Sequence, residues 1–302
     1  IDYPYWLRYL IVRGIILNVR PPKTSEAYKK IWWDEGSPLI VISKRLTAKV
    51  QAQVSVPVVM AMRYGNPSIS EGLEALHKQG VTEVLLIPLY PQYAMATSET
   101  IEVLAEKLIR EHYPQMVLHK FPPFFHRKEY IEALAGVTRP ILADYPYDHL
   151  LFSYHGVPER HLYKTSPTPA HKHIEDGKRC CDPYSAEGAH CYRSHCFETT
   201  RLLAEALQLP EGKYSISFQS RLGADKWLTP FTSDRIKALA QSGVKRLAVI
   251  TPAFVADCVE TLEEIEMVGG KTFVENGGKS FKLIPCLNDS ELWAKALAQW
   301  IN

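Results

Sequence analysis

Short apolar runs alternate along the chain with longer segments in which apolar residues recur every three or four positions. Such runs predict strands that are buried on both faces of a sheet, and the segments between them predict helices. Because strands that alternate with helices build parallel sheets, the pattern predicts an α/β fold. The predicted strands are Pro57–Met62, Glu83–Pro88, Met116–Phe121, His149–Ser153, Tyr214–Phe218 and Arg246–Ile250.

Two of these predicted strands, together with the segments that flank them, have similar sequences. Residues 80–88 are similar to residues 243–252, and each segment follows a short helical pattern and precedes a Glu-Thr pair, at Glu99 and at Glu260. Two similar α/β halves are the simplest explanation, and chance similarity between two amphipathic units is the alternative.

The repeat predicts where the halves meet. We expect one domain at 1–145 and another at 146–302, joined between Asp144 and Asp148, with a last helix that can pack back on the first domain. The second half opens with a strand that ends at His155, whereas the first half has no strand before its first helices. We therefore expect that an N-terminal strand and its loop are missing from this chain.

Composition is typical of two globular domains and argues against some classes of binding partner. The chain has 302 residues, is 46% hydrophobic and carries a formal charge of +2, so we expect no nucleic-acid surface. We also expect no membrane span and no secretion signal, because no apolar run reaches about 18 residues. Residues 1–19 are rich in Trp, Tyr and Leu and are interrupted by Arg8 and Arg13; they fit either a lip on a membrane surface or an ordinary packed helix.

Four of the six cysteines are close together in the sequence, at Cys180, Cys181, Cys191 and Cys196. In a long chain without a secretion signal, such a group suggests metal or iron–sulfur ligation before disulfides, and hence a reducing cytoplasm. Zinc and free thiols stay open as alternatives, although adjacent cysteines are not the standard zinc spacing.

A histidine ends the most apolar strand. The run from Leu150 to Ser153 leads to His155, which Gly156 and Pro158 follow closely. Ligands of open α/β sheets bind at the carboxyl ends of the strands, so His155 is a candidate site residue. The alternative is a histidine that only packs in the core or caps the strand.

An acidic segment follows the last predicted strand. We expect Asp257 to begin a helix, and a period of 3.6 residues then places Asp257, Glu260 and Glu264 on one face. Carboxylates and a neutral imidazole have the lone pairs that accept protons or bind a divalent cation. A solvated acidic helix face is the alternative.

Loops after other strands carry aromatic residues and an arginine at the same edge. They include Arg63 with Tyr64, Tyr93 and Trp227. Rings stack on a flat apolar ligand and a guanidinium pairs with its carboxylates, so these loops suit a large flat ligand with acidic tails. Each of them alone is more often simple packing.

Together these segments resemble the ferrochelatase family, whose members insert Fe²⁺ into a porphyrin at the end of haem synthesis. The resemblance covers nearly the whole chain, and its core motifs are Ser153–Pro158, Gln219–Leu228 and Ala253–Glu266. It implies two similar Rossmann-like domains, each with a parallel four-stranded sheet, and a cleft between them. It also implies insertion of Fe²⁺ into protoporphyrin IX to form haem b, with release of two protons.

The resemblance assigns roles residue by residue. His155 matches the catalytic histidine, Glu260 its partner carboxylate, and Glu264 lies one turn further on; His155 and Glu260 would contact the iron. The positions that match residues around the porphyrin are Arg63, Tyr64, Tyr93, Trp227, Arg20 and Tyr28. A [2Fe-2S] cluster on Cys180, Cys181, Cys191 and Cys196 is implied by similar bacterial members.

Several positions depart from the family pattern. Cys258 replaces a histidine of some members, Val268 replaces a third glutamate, and the usual N-terminal strand with its Asn-x-Gly-x-Pro loop is absent. The alternatives to a protoporphyrin enzyme are a coproporphyrin ferrochelatase, a sirohydrochlorin cobalt chelatase and a tetrapyrrole-binding carrier. We expect a cytoplasmic protein, with peripheral membrane contact through residues 1–19 and a homodimer as further options.

Overall fold

The computed structural model describes Tyr9 and residues 17–165, 184, 188–221, 223 and 225–302, with the backbone alone for residues 17–23. The elements of the first half are α1 (Leu17–Ile31), α2 (Pro38–Gln51), α3 (Ile69–His77), β1 (Glu83–Leu86), π1 (Met95–Glu99), α4 (Thr100–His112), β2 (Val117–Lys120) and α5 (Lys128–Asp144). Those of the second half are β3 (His149–His155), α6 (Glu159–Thr165), α7 (Tyr192–Ala206), β4 (Tyr214–Gln219), α8 (Thr232–Gln241), β5 (Arg246–Ile250), π2 (Glu260–Gly269), α9 (Gly270–Glu275), β6 (Ser280–Leu283) and α10 (Glu291–Ile301).

The second half is built on a four-stranded parallel sheet in the order β4-β3-β5-β6. Its central strand β3 is buried from His149 to Tyr154, in keeping with its continuous apolar run. In the register of β3 and β4, His155 lies beside Gln219 at the end of both strands. The sheet therefore places the carboxyl ends of its strands at one edge, where His155 is half-buried.

The first half has a smaller sheet than the sequence predicts. Among the residues that the structure describes, β1 and β2 form a parallel two-stranded sheet, not a four-stranded one. The predicted strand Pro57–Met62 does not form; only Met62 makes a bridge, to Ser68. A strand needs a neighbour for its backbone hydrogen bonds, and none of the described strands forms a ladder with this segment.

The same order of elements nevertheless occurs in both halves. A helix, a strand, a π-helix, an α-helix and a second strand follow one another from α3 to β2 and again from α8 to β6. Before each set, a backbone N–H donates a hydrogen bond to the carbonyl of a proline further along the chain. Met62 donates to Pro67 at 2.7 Å, and Phe218 donates to Pro230 at 2.9 Å. The similarity between the two sequence segments is thus accompanied by a similar local structure.

The two halves share a core. Helix α10 packs against α2 and α5, which belong to the first half. Its Trp293 is fully buried and lies against Phe124 and Tyr130. The Tyr130 hydroxyl also donates a hydrogen bond to the carbonyl of Pro252, which follows β5. None of the described helices combines the length and the apolar character that crossing a membrane requires.

Candidate active site

Two hydrogen bonds hold His155 at the end of β3. The His155 Nδ1 atom lies 2.6 Å from the carbonyl oxygen of Gly156, and the Tyr192 hydroxyl donates to the His155 carbonyl at 2.7 Å. A carbonyl oxygen only accepts, so Nδ1 must carry the proton of the neutral ring. The Nε2 lone pair of His155 is therefore available to accept a proton or to bind a metal ion.

The side chain of Gln219 connects the strand end to the acidic segment. Its Oε1 accepts a hydrogen bond from Ser153 Oγ at 2.8 Å, and its Nε2 donates to the Glu260 carbonyl at 3.0 Å. Because Gln219 lies beside His155 in the sheet, it brings the first residue of π2 to the edge where His155 ends its strand. Gln219 thus links the strand end at His155 to the backbone of Glu260.

The acidic segment begins later than the sequence predicts. Its helix starts at Glu260, not at Asp257, and has π geometry, with hydrogen bonds to the fifth residue along. Asp257 is buried before the helix; its carboxylate accepts from Asn288 Nδ2 at 2.6 Å and from Thr261 Oγ1 at 3.1 Å. The Asp257 carboxylate therefore links the segment before π2 to Thr261 and to Asn288, and the prediction of three acids on one helix face is wrong.

The charge of Glu260 acts on residues from both halves. Burial, with the neighbouring Glu260 and Cys258, raises the pKa of Tyr28 in α1. Burial, with the same two neighbours, also raises the pKa of Tyr90, which lies in the first half. The pKa of the Cys258 thiol is raised well above its usual value, mainly by burial and then by Glu260. The raised pKa values keep Tyr28, Tyr90 and Cys258 neutral near pH 7, so none of these three groups adds a negative charge to that of Glu260.

The other glutamates of π2 have different partners. Ser220 donates to both carboxylate oxygens of Glu264, from its backbone nitrogen at 2.8 Å and from Oγ at 2.6 Å. Glu263 instead forms an ion pair with Lys30 of α1, at 2.7 Å between Nζ and Oε1. Glu264 is therefore oriented from the β4 end, and Glu263 ties π2 to α1.

Three of the aromatic and basic candidates lie in different environments. The Arg63 guanidinium carbon lies 4.6 Å from the ring centre of Tyr64, whose side chain is 75% exposed. Arg63 Nε is buried and has no hydrogen-bond partner among the described residues. Trp227 is buried, and its ring packs against the backbone of Gly156, next to His155.

The other porphyrin candidates are Tyr93, Tyr28 and Arg20. The Tyr93 hydroxyl donates to Glu99 Oε2 at 2.7 Å, and the pKa of Tyr93 is raised by burial and then by Glu99. The backbone N–H of Tyr93 donates to His195 Nδ1 at 3.1 Å. Arg20 and Tyr28 both belong to α1, which contacts π2; for Arg20 only the backbone is described.

The structure describes half of the cysteine group. Cys180 and Cys181 lie outside the described residues, while Cys191 directly precedes α7, Cys196 lies within it, and both are buried. In the part of the chain that is described, no group of three or more His, Cys, Asp or Glu residues is arranged to hold a metal ion.

Comparison with known proteins decides the family to which the chain belongs. The ferrochelatase family model matches residues 1–302. The chain belongs to the ferrochelatase family. A ferrochelatase of Pseudomonas fluorescens strain SBW25 is 49% identical over 98% of this chain and 86% of its own length. A ferrochelatase of Pseudomonas putida strain F1 is 47% identical over 99% of this chain and 88% of its own length. Like the other members, this ferrochelatase is an enzyme of haem synthesis that inserts iron into a porphyrin.

Solved structures agree on the fold. SirB from Bacillus subtilis with Fe³⁺ superposes with a TM-score of 0.58 at 16% identity and covers 88% of this ferrochelatase and 90% of its own chain. The cobalt complex of the sirohydrochlorin chelatase SirB from Bacillus subtilis subspecies spizizenii has a TM-score of 0.55 at 15% identity, over 87% and 89% of the two chains. Sequence identities this low show a shared fold and nothing more. The shared fold is an α/β fold with parallel sheets flanked by helices, and it confirms the predicted fold class.

Two residues that contact this site are not recognisable from the sequence. Ser220 holds Glu264, and Tyr192 donates to the His155 carbonyl. Ser220 lies inside the motif Gln219–Leu228, in which Trp227 is the residue that the sequence pattern indicates. The backbone of Ser220 is left-handed, at φ 66°, and this conformation cannot be recognised from the sequence. Tyr192 stands beside Cys191, in a segment whose most prominent feature is its cysteines.

Proposed function

We propose that this ferrochelatase inserts Fe²⁺ into protoporphyrin IX, forming haem b and releasing two protons. Two pyrrole N–H bonds break and four iron–nitrogen bonds form, while the iron remains ferrous, so the residues have to accept protons and guide a cation. The observation that carries the proposal is the His155 ring, whose Nε2 lone pair is available at the strand end that Gln219 ties to Glu260.

His155 and Glu260 are the proposed catalytic pair. Nε2 of His155 accepts a pyrrole proton or contacts the iron, and the Glu260 carboxylate supplies the negative charge that stabilises either species. Glu264, further along π2, relays protons or iron between Glu260 and solvent. A macrocycle bent out of plane by the pocket would turn its nitrogen lone pairs toward the metal, which lowers the barrier to insertion.

In this proposal, the residues that contact the porphyrin are Arg63, Tyr64, Tyr93, Trp227, Arg20 and Tyr28. The exposed Tyr64 ring under the Arg63 guanidinium offers a stacking surface beside a positive charge. The buried Arg63 Nε without a partner among the described residues supports binding of an anionic tail there, since buried donors are normally satisfied.

A pair of neighbouring glutamates tests the roles in π2. We expect Glu260→Gln to lower kcat for Fe²⁺ insertion by about 10²-fold or more, the usual range for loss of a proton-transfer group. Glu263→Gln is the matched control, because Glu263 is engaged by Lys30, and we expect its kcat to stay within about threefold of wild type. Equal kcat values for the two variants would contradict the role of Glu260.

A panel of substrates tests the reaction itself. Initial rates with Fe²⁺ and Co²⁺, each offered with protoporphyrin IX and with coproporphyrin, should be highest for Fe²⁺ with protoporphyrin IX. Preference for coproporphyrin or for cobalt on a sirohydrochlorin-type ring would replace the proposed substrate. Tight binding of porphyrin without any turnover would instead indicate a carrier.

The proposal includes a [2Fe-2S] cluster held by Cys180, Cys181, Cys191 and Cys196. The described pair supports this group in part: both thiols are buried, Cys191 directly precedes α7, where a helix N-terminus favours a thiolate, and Cys196 follows in the second turn of the helix. His195 is not a fifth ligand, since its ring nitrogens already contact the Tyr93 N–H and the Ala189 carbonyl. When bound, the cluster would cross-link this segment through iron–thiolate bonds. A purified protein that is colourless and free of iron before porphyrin is added would exclude it, and zinc would then be sought by elemental analysis.

We also propose a cytoplasmic enzyme that contacts a membrane surface through residues 1–19. The sequence of that segment, apolar and aromatic with Arg8 and Arg13 between, supports the contact. The segment lies outside the described residues except for Tyr9 and the start of α1. Sedimentation with vesicles of anionic lipid tests the contact, and analytical ultracentrifugation of the same sample tests for a homodimer.

A further inference from the structure

Ser220 has a backbone conformation that serine rarely adopts. It directly follows β4, and its φ is 66°, in the left-handed region that favours glycine. Gln208 and Asn288 are the other described non-glycine residues with positive φ. Asparagine is comparatively common there, whereas glutamine and serine are not, so the conformation of Ser220 requires a compensating interaction.

That interaction is with one carboxylate. In this conformation the backbone N–H and the hydroxyl of Ser220 point the same way, and each donates to a different oxygen of Glu264, at 2.8 and 2.6 Å. The distance from Oγ is at the short end for a hydroxyl donor, as is usual for hydrogen bonds to a carboxylate. The two donors fix both the position and the plane of the Glu264 carboxylate.

The contact also crosses between elements that carry the proposed catalytic pair. Ser220 is one residue beyond Gln219, which lies beside His155, and Glu264 follows Glu260 along π2. Gln219 Nε2 binds the Glu260 carbonyl, so two successive residues of the β4 end hold the first five residues of π2. Glu263 and Glu266 do not contact Ser220; Glu263 pairs with Lys30 and Glu266 is exposed.

We propose that Ser220 is a positioning residue for metal insertion, which holds the Glu264 carboxylate in a fixed orientation relative to Glu260. Each Glu264 oxygen keeps a second lone pair beside the one that Ser220 occupies, and that lone pair has a fixed direction. A cation or proton that moves to or from Glu260 can then bind the Glu264 carboxylate, which does not have to reorient first. This inference rests on the proposed function of Glu264 as a relay.

Substitutions at Ser220 separate the hydroxyl from the backbone. Ser220→Ala keeps the N–H donor and the unfavourable φ but loses Oγ, whereas Ser220→Gly keeps the N–H and relieves the φ. We expect both variants to raise the KM for Fe²⁺ by about three- to tenfold and to leave the KM for the porphyrin unchanged. Ser215→Ala, which removes a hydroxyl from the other end of β4 where it contacts His149 and Arg235, should have wild-type kinetics.

A double-mutant cycle with Glu264→Ala gives the decisive result. If Ser220 acts through Glu264, Ser220→Ala should have no further effect on the KM for Fe²⁺ once Glu264 is removed. Full additivity of the two changes, or a Ser220→Ala enzyme with the wild-type KM for Fe²⁺, would overturn the proposal. A Glu264→Ala enzyme with wild-type kinetics would instead show that the relay role is wrong. Thermal unfolding of each variant excludes the case in which the kinetics follow a loss of fold.

Discussion

At the scale of single residues, three buried or half-buried histidines of this protein fall into two kinds. His155 is half-buried at the sheet edge, with Nε2 available. His195 and His149 are buried inside the fold, and both ring nitrogens of His195 are hydrogen-bonded, with Nδ1 accepting from Tyr93 and Nε2 donating to Ala189. Of these three, His155 therefore has the exposure and the lone pair that chemistry on a ligand requires.

The interior histidines predict a loss of stability in acid. Burial, with nearby positive groups, lowers the pKa of His149 to about 4 and that of His195 to about 3. Both are neutral in the folded and unfolded states well above pH 6.5. Below that pH these histidines become protonated in the unfolded chain but stay neutral in the folded protein. The free energy of unfolding therefore falls, by up to about 1.4 kcal/mol per pH unit for each histidine.

Urea unfolding at pH 7 and pH 5 measures this effect. We expect His149→Gln to lose less stability between the two pH values than wild type, by roughly 1–2 kcal/mol, because glutamine does not titrate. The measured quantity is the change in stability with pH, so the effect of removing the hydrogen bond between His149 and Ser215, which is present at both pH values, cancels. Identical losses in the two proteins would mean that His149 titrates normally in the folded state.

At the scale of elements, the turn after β3 is built around the smallest residue. Gly156 donates its N–H to the Gln219 carbonyl at 2.8 Å, and a Cβ on it would lie 2.9 Å from that oxygen and 3.2 Å from Trp227 Cε3. The backbone of β4 and a buried indole cannot both move away without displacing the end of the sheet. The glycine is therefore needed for close packing beside His155.

We expect Gly156→Ala to destabilise the protein by about 1–3 kcal/mol, the usual effect of overpacking. It should also reduce kcat for metal insertion at temperatures where the protein remains folded, because Gln219 is both the displaced neighbour and the link to Glu260. Circular dichroism and initial rates on the same sample measure both effects. Wild-type kcat in a folded Gly156→Ala enzyme would show that the turn tolerates displacement.

Sequence patterns predict the regular elements and miss those that depend on tertiary context. Arg246–Ile250 is a strand with the predicted bounds, and Pro38–Gln51 is a helix, as expected from Ser37 at the N-cap position and Pro38 at the first helical position. β6 is missed because Lys282 interrupts its short apolar pattern. The start of π2 is misplaced because Asp257 resembles a helix cap, while two of its partners, Asn288 and Cys286, lie about thirty positions away.

The candidate site shows the same division. The strand that leads to His155 and the acidic pair in π2 could be recognised from their local patterns. The orientation of each side chain could not, because Gln219, Ser220 and Tyr192 act on residues that are distant in the sequence. Local patterns thus locate candidate groups, and the tertiary fold decides which of their atoms are available.

At the scale of the whole molecule, the two halves are joined by an aromatic cluster. Trp293 of α10 has its ring within about 6 Å of three other aromatic rings, those of Phe124, Tyr130 and Trp300. Phe124 and Tyr130 belong to the first half and Trp293 to the second. Because this cluster is buried and shared, the halves should not unfold independently.

We expect Trp293→Ala to destabilise the protein by about 3–5 kcal/mol, the usual range for removing a buried tryptophan. Unfolding should remain a single transition by circular dichroism and by fluorescence, since both halves lose the same packing. Trp32→Ala is the matched control, because Trp32 is 55% exposed, and it should change stability by less than about 0.5 kcal/mol. Two separate transitions would show that the halves are independent units.

The central claim is that His155, whose Nε2 keeps its lone pair at the end of β3, carries out the chemistry of metal insertion. The direct measurement is the rate of Fe²⁺ insertion into protoporphyrin IX by His155→Ala, together with its porphyrin affinity and thermal stability. We predict that insertion is lost, with a kcat at least about 10³-fold below wild type, while porphyrin binding and the unfolding temperature remain close to wild type. A folded His155→Ala enzyme with turnover near that of wild type would contradict the account.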